Sequence, residues 1–191
     1  MSLLVTGSIG IDTLETPLGR AGDVLGGSAV YFSLAASLFS PVRVVAAVGE
    51  DFDLKLFDPL RAKDIDLSGV EVRKGSKTFR WHGRYAGTMN EAETVGVSLN
   101  VLAEEVPVVP PAFCDSRYLF LANTHPARQR EFAEQVPNAE LIVCDTMNLW
   151  IENEPEELRK TLKCVHGLVL NEGEARMLTG KTSLVAAGRD V

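Results

Sequence analysis

The chain has 191 residues, enough for one domain of ordinary size, and 46% of them are apolar, ample for a packed core. Its 26 acidic residues outnumber its 19 basic ones, for a formal charge of −7, and no Lys/Arg cluster interrupts that acidity. Nucleic acid and anionic membrane surfaces are therefore excluded as partners.

In chain order, Leu3–Ile11, Val42–Val48, Tyr118–Ala122, Leu141–Cys144 and Leu168–Leu170 are near-continuous apolar runs. Such runs predict strands covered on both faces. Between them Ser28–Leu38, Pro126–Gln135, Pro155–Lys163, Glu172–Leu178 and Ser183–Val191 read as helices. Proline opens two of them, and Gly180 closes a third. Phe52–Asp64 is expected to break in two at Pro59. Strands alternating with helices predict a mainly parallel sheet with helices on both faces.

Lys77–Leu99 departs from this rhythm. Thr78, Arg80, His82 and Arg84 alternate with Phe79, Trp81 and Tyr85, which predicts a half-exposed antiparallel strand, with a partner at Thr94–Leu99. A hairpin off the main sheet, joined by residues of Glu15–Leu25, is expected.

Cys114, Cys144 and Cys164 form no Cys-x-x-Cys pair, and Cys144 reads as a buried hydrophobe. The N-terminus has no basic region followed by a long apolar stretch, so no signal peptide is read there. A reduced, cytoplasmic protein is expected. His82, His125 and His166 lack ligand spacing. Gly180-Lys181-Thr182 follows a helix rather than a strand, unlike a phosphate-binding loop, and Gly7-Ser8-Ile9-Gly10 lacks the full dinucleotide fingerprint.

Three places carry candidate chemistry. Gly26-Gly27 directly precedes a helix, where free N–H groups without a Cβ make a site for hydroxyls or anions; the same residues also suit a tight turn with Gly27 or Ser28 as N-cap. Asp12, read at the carboxyl end of the first strand, stands where open α/β sheets bind ligands, or forms a turn before Thr13. Asn171-Glu172-Gly173-Glu174 opens a helix after a strand. It offers an amide and carboxylates to a hydrated Mg²⁺ and phosphate oxygens, or simply caps that helix.

Taken in order, these segments resemble the ribokinase, or PfkB, family of carbohydrate and nucleoside kinases. The resemblance rests on Val5-Thr6-Gly7-Ser8-Ile9-Gly10-Ile11-Asp12, Gly26-Gly27-Ser28-Ala29, Val48-Gly49-Glu50-Asp51-Phe52 with Asp64-Ile65-Asp66, and Asn171-Glu172-Gly173-Glu174 with Leu178-Thr179-Gly180. It implies a three-layer α/β/α, Rossmann-like domain with a small β-sheet lid, at about 13–25 and 77–99. It also implies transfer of the ATP γ-phosphoryl group to a hydroxyl of a sugar or nucleoside, with Mg²⁺ as the metal. By position Asp12, Gly26 and Gly27 would bind substrate. Asn171 and Glu174 would serve the nucleotide, with Glu174 reaching the metal through water. Tyr31 stands where sugar kinases often carry an Asn, and its large apolar ring leaves the substrate open. The family's catalytic Asp is expected downstream of Val191. The 191 residues are thus expected to be a truncated single domain without a base, inert alone, or else a non-catalytic polyol-binding or partner-binding module. Pairing of lids implies a homodimer.

Overall fold

A computed structural model describes residues 3–87, 89 and 92–191. Leu3–Ile11 does not form one strand. β1 (Leu3–Thr6) stops at Gly7, and the chain resumes as β2 (Gly10–Thr16) in a second sheet. The physical cause is Gly7, which has φ +138°, and any Cβ there would lie 2.6 Å from that of Ala122. The chain can turn away only because that residue has no side chain.

The second sheet continues with β3 (Gly19–Gly26), after which α1 (Ser28–Ala36) leads into β4 (Val42–Gly49). Phe52–Asp64 divides as predicted, into a 3₁₀ turn at Leu54–Phe57 and α2 (Asp58–Arg61), with Pro59 in the first turn of α2. Next come β5 (Asp66–Arg73), β6 (Phe79–Tyr85), β7 (Ala92–Ser98), β8 (Tyr118–Leu121), α3 (Pro126–Glu134) and β9 (Leu141–Asp145). The described chain ends with α4 (Asn148–Asn153), α5 (Pro155–Leu162), β10 (Gly167–Val169), α6 (Glu172–Thr179) and α7 (Leu184–Asp190). Among the described residues no helix is long and apolar enough to cross a membrane.

The main sheet has the order β10-β9-β8-β1-β4-β5, and every neighbouring pair is parallel. Alternate residues of its strands enter two cores. Val5, Val44, Ala46, Val48 and Phe120 meet Val30 of α1 and Leu60 of α2 on one face. Leu4, Val45, Leu119, Leu121 and Cys144 meet Phe132 and Ala133 of α3 on the other. That two-sided burial is why these runs lack alternation in sequence. Cys144 is fully buried, and burial, helped by Asp145, pushes its thiol up to about 12.

The second sheet has the order β3-β2-β6-β7. β6 is antiparallel to β7 but parallel to β2, so it is a central strand. The polar side chains that alternate along it reach Glu15 on β2: Arg84 forms an ion pair with it and His82 Nε2 a hydrogen bond, each at 2.9 Å.

Candidate functional site

From β1 the chain of neighbours runs one way to β4 and β5 and the other way to β8, β9 and β10. The direction reverses between β1 and β8, and the crevice beyond the carboxyl ends at such a reversal is where open α/β sheets bind ligands. Ser8, directly after β1, ties the start of α1 into this crevice. Its Oγ accepts from Ser28 N at 3.1 Å and its carbonyl from Ala29 N at 3.2 Å, while Ser28 Oγ donates to Asn123 O at 3.3 Å. The donors of Ser28 and Ala29 are therefore taken. Gly27 is the N-cap, with φ +101°. The glycine pair instead permits close approach: a Cβ on Gly27 would lie 2.3 Å from Ser8 O, and one on Gly26 2.1 Å from the Asp12 carboxylate.

Asp12 does not end the first strand. It stands inside β2, paired with Val24 and Trp81, because the chain has already crossed into the second sheet at Gly7. It is only 9% exposed, its Oδ1 has no hydrogen-bond partner among the described residues, and burial pushes it up to about 6. The register places it on the sheet face that also carries Phe79 and Trp81. Tyr31 is largely exposed and its hydroxyl donates to Leu25 O at 3.0 Å. Burial, followed by the Asp12 charge, raises its pKa.

That face roofs a cavity of about 450 Å³. Phe79, Trp81, Val97 and Leu99 lie above; Ser8, Asn123, His125, Met147 and Trp150 lie below, on the segments that follow β1, β8 and β9. Both aromatic rings of the roof need glycine partners. A Cβ on Gly10 would meet the Phe79 ring at 2.5 Å, and one on Gly83 the Trp81 ring at 2.0 Å. Trp81 Nε1 donates to Thr94 Oγ1 at 3.1 Å, which fixes the indole plane. In the floor, Trp150 Nε1 donates to Asn123 Oδ1 at 2.9 Å, and the His125 ring meets Trp150 edge-on at 5.1 Å. The polar ends of both indoles are satisfied, so the rings offer apolar faces.

A second cluster lies at the carboxyl ends of β9 and β10. Asn171 and Glu174 form a reciprocal capping box on α6: Glu174 N donates to Asn171 Oδ1 at 2.9 Å, and Asn171 N donates to Glu174 Oε2 at 2.8 Å. The capping alternative is thus structurally occupied, leaving Glu174 Oε1 and the Asn171 amide nitrogen. Burial raises Glu174, against the Asn171 hydrogen bond. Beside it, burial and then the Glu174 charge push Asp145 up to about 7, and neither Asp145 Oδ1 nor Thr146 Oγ1 has a partner among the described residues.

Gln129 of α3 holds these strand ends together. It is fully buried, and its Nε2 donates to Leu121 O at 2.9 Å, Ala122 O at 3.3 Å and Asp145 O at 2.9 Å. Gln129→Leu keeps the volume and strips all three carbonyls of this donor. A loss of about 1–3 kcal/mol in urea unfolding is expected, with the slope of the transition unchanged.

The six sequence-predicted residues therefore fall into two groups: Asp12, Gly26, Gly27 and Tyr31 around the start of α1, and Asn171 and Glu174 beside Asp145. None of them lines the cavity. Asn123, Asp145, Met147 and Trp150 were missed, although Asp145 ends a strand and Asn123 and Met147 follow one within two residues, the position that the crevice rule singles out; Trp150 lies inside α4.

No family model matches the chain. It is 27% identical over 196 residues to the cytidine kinase of Thermococcus kodakarensis, covering 99% of this chain and 68% of that protein. Among solved structures, ribokinase from Cryptococcus neoformans in complex with ADP superposes with a TM-score of 0.75 at 20% identity, covering 96% of this chain and 64% of that one. The fold is that of the ribokinase family. A nucleoside kinase of the ribokinase family from Methanocaldococcus jannaschii superposes at a TM-score of 0.72 and 14% identity, covering 94% of this chain and 63% of that one. Burkholderia thailandensis nucleoside kinase in complex with inosine does so at 0.75 and 16%, covering 94% and 64%. The chain spans less than two thirds of the length of each of these three structures.

Proposed function

We propose that this protein is a kinase that passes the γ-phosphoryl group of ATP to a hydroxyl of a small polyol, and that the polyol is a nucleoside rather than a free sugar. The observation that carries this reading is the aromatic cavity at the sheet's reversal point; Asp12 lies on the same sheet face as its roof, outside the cavity lining, with a carboxylate oxygen that has no partner among the described residues. The rings of Phe79, Trp81 and Trp150 suit a planar base, which a free sugar lacks. An ionised carboxylate with an open acceptor suits ribose hydroxyls. The relative named cytidine kinase and the neighbour that holds inosine support the nucleoside; the neighbours that hold ADP and ATP, a ribokinase and a fructokinase, support the nucleotide alone.

Mg²⁺ fits the second cluster by its chemistry. Asp145 and Thr146 present oxygen donors without partners among the described residues, next to Glu174. No group of three or more His, Cys, Asp or Glu among the described residues makes a closed cage. Mg²⁺ commonly binds through one or two carboxylates while keeping waters and substrate phosphates. Bound there it would neutralise phosphate charge. Asp12 would orient the substrate hydroxyls, and the apolar roof would limit water at the bound substrate.

Calorimetric titration tests the substrate class. Cytidine or inosine is expected to bind at least tenfold more tightly than ribose, and equal or absent binding overturns the nucleoside assignment. ADP release by the full-length protein with a nucleoside panel tests the transfer itself; no release with any member counts against a kinase.

A further inference from the structure

The segment Val48-Gly49-Glu50-Asp51-Phe52 leaves β4 on the side of the second sheet, and no role in the cavity or the Asp145 cluster falls to it. We infer that Asp51 and Thr78 form a buried fastening that sets the height and tilt of the cavity's aromatic roof, so that both act as positioning residues for whatever the cavity binds.

Thr78 directly precedes β6, one residue before Phe79 and three before Trp81, and it is fully buried. All its polar groups are engaged. Asp51 Oδ1 accepts from Thr78 N and from Thr78 Oγ1, each at 2.7 Å, and Thr78 Oγ1 accepts from Gly49 N at 3.0 Å. Thr78 O accepts from Asn100 Nδ2 at 2.8 Å, and the backbone N of Val101 donates to Lys77 O at 3.1 Å. The strand entering the roof and the segment leaving it after β7 are thus held at one point. Asp51 Oδ2 also faces Arg80 at 3.5 Å, and Arg80 reaches Asp23 of β3 at 2.9 Å, so the fastening extends across the sheet.

Glycine is required here for space. A Cβ on Gly49 would lie 2.3 Å from Lys77 C and 2.4 Å from Thr78 N. Burial acts to raise Asp51, yet the Thr78 donors and Arg80 outweigh it and hold the carboxyl below its usual range. A charged acceptor in such a network makes stronger bonds than a neutral one. The opposite stem of the sheet, where β1 passes to β2 and β3 passes to α1, is held by close approach at Gly7 and Gly27 and by the bonds of Ser8 to Ser28 and Ala29. The Asp51–Thr78 fastening lies on the stem that carries Phe79 and Trp81.

Thr78→Val keeps the shape and removes the hydroxyl; Thr78→Ser keeps the hydroxyl. Hydrogen exchange on the 191-residue chain is expected to show the amides of 79–85 and 92–98 exchanging at least tenfold faster in T78V, together with Gly49, whose N–H loses its acceptor, those of β1, β8 and residues 42–48 of β4 unchanged, and T78S restoring the wild-type pattern. Asn100→Ala, which removes one tether without touching the core, is expected to accelerate the same amides about threefold, and it decides the matter if T78V does not fold. Unchanged exchange in the roof strands, or acceleration spread equally over both sheets, overturns the fastening. A second arm rests on the proposed nucleoside binding and uses cytidine. Its affinity is expected to fall at least fivefold in N100A and T78V and to recover in T78S. Wild-type protein that does not bind cytidine would refute that reading, while the exchange pattern would still decide the fastening. Roof strands that loosen with cytidine affinity unchanged would refute the positioning role.

Discussion

Gly27→Ala is expected to destabilise the chain by about 3–5 kcal/mol, a large part of the roughly 5–15 kcal/mol margin of a folded domain. Gly27 has φ +101° and ψ 141°, a conformation that L residues rarely adopt. Its Cβ would lie 2.3 Å from Ser8 O, 2.7 Å from Ser8 C and 2.8 Å from Ile9 Cα. These are backbone atoms and cannot swing aside. Relief would require Ser8 to move, and Ser8 holds Ser28 N, Ala29 N and the hydroxyl of Ser28. The useful control is Gly180→Ala. Gly180 has φ +69° as the C-cap of α6, and nothing lies within 4 Å of its Cβ position. That variant carries the left-handed backbone cost alone, about 1 kcal/mol. Urea midpoints should therefore separate the two variants widely; a Gly27→Ala loss within about 1 kcal/mol of the Gly180→Ala loss would show that steric approach to Ser8 is not what demands glycine.

The sequence signalled the strands and helices of the main sheet because their burial on two faces leaves a composition that local reading can detect. Gly26-Gly27 was equally visible, but its reason was not. The pair reads as a source of free N–H groups, whereas Ser8, from a separate segment, takes the donors of Ser28 and Ala29 and sits where a side chain would go. The crossing at Gly7 was illegible for the same reason. Leu3–Ile11 is an unbroken apolar run, and what ends β1 is contact with Ala122 on a distant part of the chain. β3 was expected only as part of Glu15–Leu25 joining the hairpin, without bounds of its own, because Gly19–Gly26 is mostly exposed and is a strand by virtue of its pairing with β2 rather than its own pattern. The cavity was the least legible feature. Asn123 and Trp150 come from different loops, and their hydrogen bond exists only because β8 and β9 lie side by side in the sheet. The Asn171–Glu174 spacing was readable as a capping box, and the structure forms that box, yet its neighbour Asp145 carried no local signal beyond its place at a strand end.

Asp12→Asn is expected to change stability and binding in opposite directions. Burial raises Asp12 from an ordinary carboxylate value to about 6. Between about pH 4 and pH 6 the unfolded chain releases this proton while the folded one keeps it, so folding stability falls as pH rises through that window and the loss persists above it. Each pH unit of the window is worth at most about 1.4 kcal/mol for one proton. Asn cannot ionise. The stability of the variant minus that of the wild type should climb by about 1–3 kcal/mol from pH 4 to pH 7.5, and the difference cancels the contribution of Asp145, which titrates in both proteins. A difference that stays flat with pH would mean that Asp12 is solvated in the folded protein. In binding, the ionised carboxylate is the better acceptor for a hydroxyl, so wild-type affinity for cytidine should increase from pH 5 to pH 7.5, while that of Asp12→Asn should be at least tenfold weaker at pH 7.5 and indifferent to pH. A residue that costs stability where it stands and supports binding there is kept for its ligand. A variant that lost both stability and binding would instead make Asp12 a packing residue of β2, held under Gly26 for structural reasons alone.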